Sequence, residues 1–213
     1  MSKIIIDMGS GETCHNDKSE VRRMIDGLAA VDGHHHEVYI KWQLFTKVPA
    51  PVPPLDHEVY DYAVKYADLT YGYQTFASVF DYPSLNYLLD YHPPALKVAC
   101  RPYLYMLLRN MPRDTPVYVS IGDVAYAPLL REMFPGYELR FLYCIPEYPA
   151  NQTAYETLFG YNLSVGISDH SPDLRLFGEY QPLYYERHMK LADSTGLDAG
   201  PHASTPEELG AIL

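Results

Sequence analysis

Short apolar runs alternate with amphipathic stretches along almost the whole chain. Residues 4–8, I-I-I-D-M, read as a buried strand, and residues 9–17 as a polar loop. Over residues 19–30 the apolar positions Val21, Met24, Ile25 and Leu28 recur at helical spacing, which predicts an amphipathic helix. The alternation then continues, with further strands expected over 37–45, 74–79, 95–99, 116–121, 139–144, 163–167 and 184–188. Helices are expected over 56–68, 83–91, 103–110, 124–133, 154–159 and 206–212. The Pro-rich segment V-P-A-P-V-P-P, residues 48–54, is a loop. The pattern between the seventh and eighth strands is too weak to predict more than a frail helix there.

Strands that alternate with helices imply a parallel sheet, and eight such repeats imply closure into a compact (β/α)8 TIM barrel. The doubly wound open sheet is the competing arrangement. It usually needs fewer strands, and its G-x-G-x-x-G turn is absent after the first strand here. The expected unit is one TIM-barrel domain over residues 1–213, near the lower size limit for that fold.

Composition changes the picture in three ways. A hydrophobic content of 47% with 20% charged residues belongs to a globular chain. The net charge of −11 argues against nucleic acid as a partner, because phosphate backbones demand clustered Lys and Arg. No apolar run approaches the ~20 residues of a membrane span, and the opening M-S-K-I-I-I-D lacks a secretory-leader profile, so a cytoplasmic protein is expected. The three cysteines, Cys14, Cys100 and Cys144, fit a reducing compartment.

A TIM barrel works at the C-terminal ends of its strands. Polar residues stand there on every predicted strand: Asp7, then Lys41 and Gln43, Ser78, and Lys97 with Cys100 and Arg101 beyond it. Ser120, Glu147 and Tyr148, Ser168 with Asp169 and His170, and Glu186 with His188 complete the series. Strand ends are also where a core meets water, so each residue alone says little. Their common register says more. His170 and His188, from adjacent strands, would converge beside a carboxylate as ligands for Mn²⁺, Zn²⁺ or Fe²⁺, or would simply pack in the rim. Lys41 and Lys97 point into the same mouth. Buried ammonium groups need anions, and three readings stand: a phosphate or carboxylate substrate, a Schiff-base lysine, or structural ion pairs to Asp7 and Glu186. His34, His35 and His36 precede the second strand and read as solvated loop residues.

Several segments, in order, resemble the N-acetylneuraminate (sialic acid) synthase family. I-I-I-D-M-G is similar to its I-A-E-I-G, and C-H-N-D to its N-H-N-G after a three-residue insertion. V-Y-I-K-W-Q resembles V-K-F-Q, A-S-V-F-D resembles S-T-P-F-D, and L-K-V-A-C resembles F-K-I-A-S. V-Y-V-S-I-G, L-Y-C-I-P-E-Y-P, G-I-S-D-H-S and Y-E-R-H-M-K-L stand where the family has V-I-L-S-T-G, L-H-C-T-S-E-Y-P, G-Y-S-D-H-T and I-E-K-H-F-T-L. The resemblance implies condensation of phosphoenolpyruvate with an aldehyde or sugar to give a 2-keto acid. It implies a divalent metal, Mn²⁺ before Mg²⁺, Zn²⁺ or Fe²⁺, held by His170 and His188. Lys41, Lys97, Ser78, Ser120 and Ser168 would hold phosphoenolpyruvate, with Asp7, Glu186 and Lys97 as the catalytic groups. Gln43, Tyr148 and Glu186 would face the aldehyde.

The departures fall mostly on the sugar side. Cys100 replaces a Ser, with Arg101 as the neighbouring compensation. Pro146 replaces a polar residue. The Asp before His202 is missing, with Asp198 the nearest substitute. The family's C-terminal antifreeze-like domain has no counterpart in these residues. The expectation is therefore a minimal barrel acting on a different or smaller aldehyde, or one completed by a homo-oligomer or another partner. The alternatives are a catalytically reduced barrel that binds or scaffolds, and a metal-dependent phosphosugar aldolase.

Overall fold

The computed structural model describes residues 1–47, 52–160 and 165–213. Residues 48–51 of the Pro-rich loop and residues 163–164, expected to open the seventh strand, lie outside them.

Eight parallel strands form a ring. They are β1 (Lys3–Asp7), β2 (Glu37–Leu44), β3 (Gln74–Val79), β4 (Leu96–Val98), β5 (Val117–Ile121), β6 (Leu139–Cys144), β7 (Gly166–Asp169) and β8 (Tyr184–Met189). They pair in sequence order, and β1 pairs with β8 to close the barrel. A two-residue strand, β9 (Ala203–Ser204), adds to β8 and was not foreseen. It belongs to the chain that returns over the barrel mouth.

The helices follow their apolar stripes. In α1 (Lys18–Val31) the four expected residues Val21, Met24, Ile25 and Leu28 are the buried ones, and the Asp17 carboxylate caps the first turn by accepting from Ser19 N–H at 2.7 Å. α2 (His57–Tyr71) ends at Gly72, whose φ of +74° suits the left-handed stop that glycine adopts without strain. α3 (Tyr82–Leu89), α4 (Tyr126–Met133) and α6 (Pro206–Leu209) stand where helices were expected, α6 behind a Thr205–Glu208 capping box. Two expected helices are 3-10 segments instead, Pro102–Asn110 and Gln152–Gly160. The frail connection before β8 does carry a short helix, α5 (Arg175–Tyr180).

Two apolar zones result. The larger lies between barrel and helices and takes the outward residues of the strands, such as Ile4, Ile6, Ile40 and Trp42. The smaller fills the barrel interior with Ile5, Tyr39, Phe76, Ala95, Tyr118 and Leu142. Strand alternation explains the division: Ile5 points in, its neighbours point out. One step further along each strand the inward positions turn polar. Asp7, Lys41, Ser78 and Ser120 stand one pleat above Ile5, Tyr39, Phe76 and Tyr118. The apolar layer is thus a floor, and the polar layer lies on it.

Phe76 is fully buried in that floor. Phe76→Ala should cost roughly 3–5 kcal/mol, because neighbouring strands cannot close over the hole. Urea unfolding of the two proteins measures the difference.

Candidate active site

The strand register brings the candidate residues together. Asp7 sits opposite Lys41 on one side and His188 on the other. Gln43 is opposite Ser78, Ser78 opposite Lys97, and Ser168 opposite Glu186. They surround a cavity of about 410 Å³ at the C-terminal mouth, a volume within the usual range for small-molecule sites. Arg101, Ser120, Tyr148 and His170 line it as well, so every residue expected to act on substrate or metal faces one space. Glu147 and Asp169 do not line it: Glu147 is exposed, and Asp169 points outward between β7 and β8.

Four buried charges occupy the floor of this space. Lys41 Nζ donates to Asp7 Oδ2 at 2.5 Å and lies 3.6 Å from Glu186 Oε2, while Lys97 Nζ is 3.2 Å from Glu186 Oε1. These are the ion pairs that the plainest reading of the two lysines expects. Ser168 Oγ also donates to Glu186 Oε1 at 2.8 Å, and Gln43 Nε2 to Asp7 Oδ2 at 3.1 Å. Burial works against the Lys41 charge, but Asp7 and then Glu186 outweigh it and hold the ammonium above its usual value. Burial likewise opposes ionisation of Glu186. Lys41 and Lys97 overcome it and keep the carboxyl well below the ordinary range. Ser120 Oγ and Glu186 Oε2 are buried without a hydrogen-bond partner, on two residues that line the cavity.

The histidines form the wall beside this floor. His170 Nδ1 lies 2.8 Å from the Ile145 carbonyl, so it carries the proton and leaves Nε2 as the free acceptor. Burial, reinforced by His188, pushes His170 down to about 3, so the ring is neutral at neutral pH. The Tyr155 hydroxyl sets this strand end: it accepts from His170 N–H at 3.1 Å and donates to the Ser168 carbonyl at 2.9 Å. His188 lies between two acids, with Nε2 3.4 Å from Asp7 Oδ2 and Nδ1 2.9 Å from Asp198 Oδ1. Burial opposes its charge, but Asp7 and Asp198 prevail and raise its pKa. Tyr148, though 58% exposed, roofs the group, its ring centroid 4.3 Å from that of His170 and 4.8 Å from that of His202.

Among the described residues, one group has donor atoms close enough to hold a metal ion: His188, Asp198 and His202, with all ligand atoms within 4.8 Å of one another. The chemistry of the set fits a divalent cation. His188 Nδ1 and His202 Nδ1 are buried without a hydrogen-bond partner, and the 2.9 Å approach of Asp198 to His188 is close but not aligned as a hydrogen bond. Imidazole plus carboxylate suits Mn²⁺, Fe²⁺ or Zn²⁺. His170 stands at the edge of this group, its ring centroid 5.3 Å from that of His188 and 6.4 Å from that of His202.

The sequence matches no protein-family model and no curated protein. Solved structures do match. One is an N-acetylneuraminic acid (sialic acid) synthetase from Leptospira borgpetersenii serovar Hardjo-bovis in complex with citrate. It is 21% identical at a TM-score of 0.75, with 98% of this chain and 80% of that one covered. A spore coat polysaccharide biosynthesis protein E from Chromobacterium violaceum is 17% identical at a TM-score of 0.79, covering 99% and 72%. A phospho-2-dehydro-3-deoxyheptonate aldolase (DAHP synthase) from Thermotoga maritima is 14% identical at 0.69, covering 97% and 65%. The barrel fold is shared with all three.

Sequence reasoning placed Asp198 only as a substitute and left His202 out of the ligand set; both belong to the wall. Their closeness in the sequence, D-A-G-P-H, was the available signal. Tyr155 was missed, because nothing in a tyrosine-rich sequence marks the one hydroxyl that braces a strand end. Arg187 was also missed. Between Glu186 and His188 it points outward, 1% exposed, and donates to Ser171 O at 2.6 Å, Ser204 Oγ at 3.0 Å and Pro201 O at 3.4 Å, with Asp169 Oδ1 3.6 Å away. One guanidinium thereby ties the loop bearing His170 to the segment bearing His202. Arg187→Ala should destabilise the fold by roughly 3–5 kcal/mol, since it strands Asp169 as a buried charge. Adding Asp169→Asn should recover part of that loss in denaturant unfolding, because the stranded charge is then gone.

Proposed function

We propose that the chain is a metal-dependent enzyme that condenses phosphoenolpyruvate with an aldehyde, of the sugar class, to give a 2-keto acid and phosphate. The observation that carries this reading is the juxtaposition, in one barrel mouth, of the paired lysines with the His188–Asp198–His202 group and His170. The kinds of protein that share the fold support it, as does the ordered run of S-D-H and E-R-H segments.

The assignments follow from the chemistry of the groups. Phosphoenolpyruvate carries a phosphate and a carboxylate. An ammonium has three donors, so Lys41 and Lys97 keep donors for these anions while paired with Asp7 and Glu186. Ser78, Ser120 and Ser168 add hydroxyls around the same floor, and Arg101 supplies a further cation at its edge. The metal, Mn²⁺ in this reading, would be held by His170 and His188 with Asp198 and His202, and it supplies Lewis-acid polarisation of the aldehyde oxygen. The new C–C bond joins the phosphoenolpyruvate methylene carbon to the aldehyde carbon. Water adds to the former enol carbon, and phosphate departs. Asp7, anchored by Lys41 and by Gly9 N–H at 2.9 Å, would orient that water, and Glu186 would exchange a proton with the substrate. Gln43 and Tyr148, which line the same cavity, would contact the aldehyde. A Schiff-base aldolase is less well served, because an ion-paired ammonium at Lys97 is not a nucleophile.

Phosphate release from phosphoenolpyruvate, with Mn²⁺ and a panel of aldoses, tests the reading. Release should require both metal and aldehyde, and Lys97→Met or His188→Ala should lower the rate by roughly 10²-fold or more. Silence across the panel, with His170→Ala indistinguishable from the parent, would leave a barrel that binds without turnover.

A further inference from the structure

The loop between β1 and α1, G-S-G-E-T-C-H-N-D, reaches across the barrel seam to the segment that follows β8. Glu12 Oε2 accepts from Leu197 N–H at 3.3 Å. Thr13, 3% exposed, donates from Oγ1 to Asp198 Oδ2 at 2.9 Å. The same Oγ1 accepts from Ser10 N–H at 3.2 Å. A hydroxyl has one proton, so with Ser10 donating into Oγ1 that proton is committed to Asp198. The β-branched side chain is also stiff at χ1, which holds the oxygen in place. Gly9 makes the approach possible. Its φ is +76°, and a Cβ there would lie 2.0 Å from Thr13 Oγ1 and 2.6 Å from Asp198 Oδ2.

The consequence concerns the other carboxylate oxygen. With Oδ2 held by Thr13, Oδ1 is the one that faces His188 Nδ1 at 2.9 Å and His202 Nε2 at 3.8 Å. Asp198 sits in a single 3-10 turn, Leu197–Ala199, with no regular element to fix its side chain. The β1 loop and the segment after β8 therefore come together at one carboxylate.

We infer that Thr13 is a positioning residue for metal binding: its hydroxyl orients Asp198 so that one carboxylate oxygen completes a divalent-cation site with His188 and His202. This rests on the metal-dependent reading above. Thr13 does not touch the ion. It acts through Asp198, as outer partners of metal-ligating carboxylates do.

Titration of the metal-free protein with Mn²⁺, and with Co²⁺ followed by its visible absorption, separates the possibilities. Thr13→Val keeps the shape and removes the hydroxyl. It should weaken Mn²⁺ binding by roughly 10–100-fold and alter the Co²⁺ bands. Thr13→Ser should restore affinity and spectrum, and Asp198→Asn should bind more weakly than Thr13→Val. Unfolding in the presence of a chelator serves as the control for a purely mechanical staple. Should Thr13→Val fail to fold, Thr13→Ala takes its place in the same titration. A parent protein that binds neither ion overturns the metal reading itself. A parent that binds, with Thr13→Val binding equally well, overturns the role of Thr13 alone. Equal losses in Thr13→Val and Thr13→Ser overturn it too, since the hydroxyl would then be irrelevant.

Discussion

Lys41 and Lys97 place two ammonium groups inside a barrel mouth, where an uncompensated ion costs several kcal/mol. Asp7 and Glu186 neutralise them, at 2.5 Å and 3.2 Å for the closest pairs. The other mouth residues are arranged around that balance. Gln43 and the Gly9 N–H donate to Asp7 and Ser168 to Glu186 Oε1, while His188 Nε2 lies 3.4 Å from the Asp7 oxygen that Lys41 and Gln43 share. A closed set of this kind is a weak source of stability. In the proposed reading its role is to hold donors fixed and dry for an entering anion.

The balance depends on register. In a parallel barrel each inward side chain is level with partners on both neighbouring strands, so Asp7 meets Lys41 and His188 at once. A slip of one residue would turn Asp7 outward and bring Ile6 into the polar layer. The apolar floor of Ile5, Phe76, Tyr118 and Leu142 guards against that slip, since those residues would have to leave the interior together. Stability and site geometry thus rest on one alternation. The residues flanking the histidines use its other phase: Asp169 and Arg187 face outward and lock the loops whose histidines face inward.

The seam between β1 and β8 gathers the rest. Its loops carry Thr13, Asp198 and His202, and it is the point where the two ends of the barrel sequence meet.

Much of this was legible in the residues. Runs such as I-I-I-D-M and L-R-F-L-Y-C announce strands, the stripe of Val21, Met24, Ile25 and Leu28 announces α1, and their alternation announces a barrel with a working end. The inward polar residues could be named because alternation and strand ends are local properties. The 3-10 form of residues 102–110 and 152–160 was not legible, since it depends on the space left between neighbouring elements. Nor was the partner of each charge. Sequence leaves Lys97 open to a substrate, a Schiff base or Glu186; only closure of the ring puts Glu186 3.2 Å away. The strands and the chemistry they carry were determined by the sequence itself, through side-chain pattern acting over a few residues. The distances that join Asp198 to Thr13, His188 and His202 were decided by the tertiary fold, because Thr13 reaches Asp198 only when β8 pairs with β1, and the segment with Asp198 and His202 reaches His188 by folding back so that β9 pairs with β8.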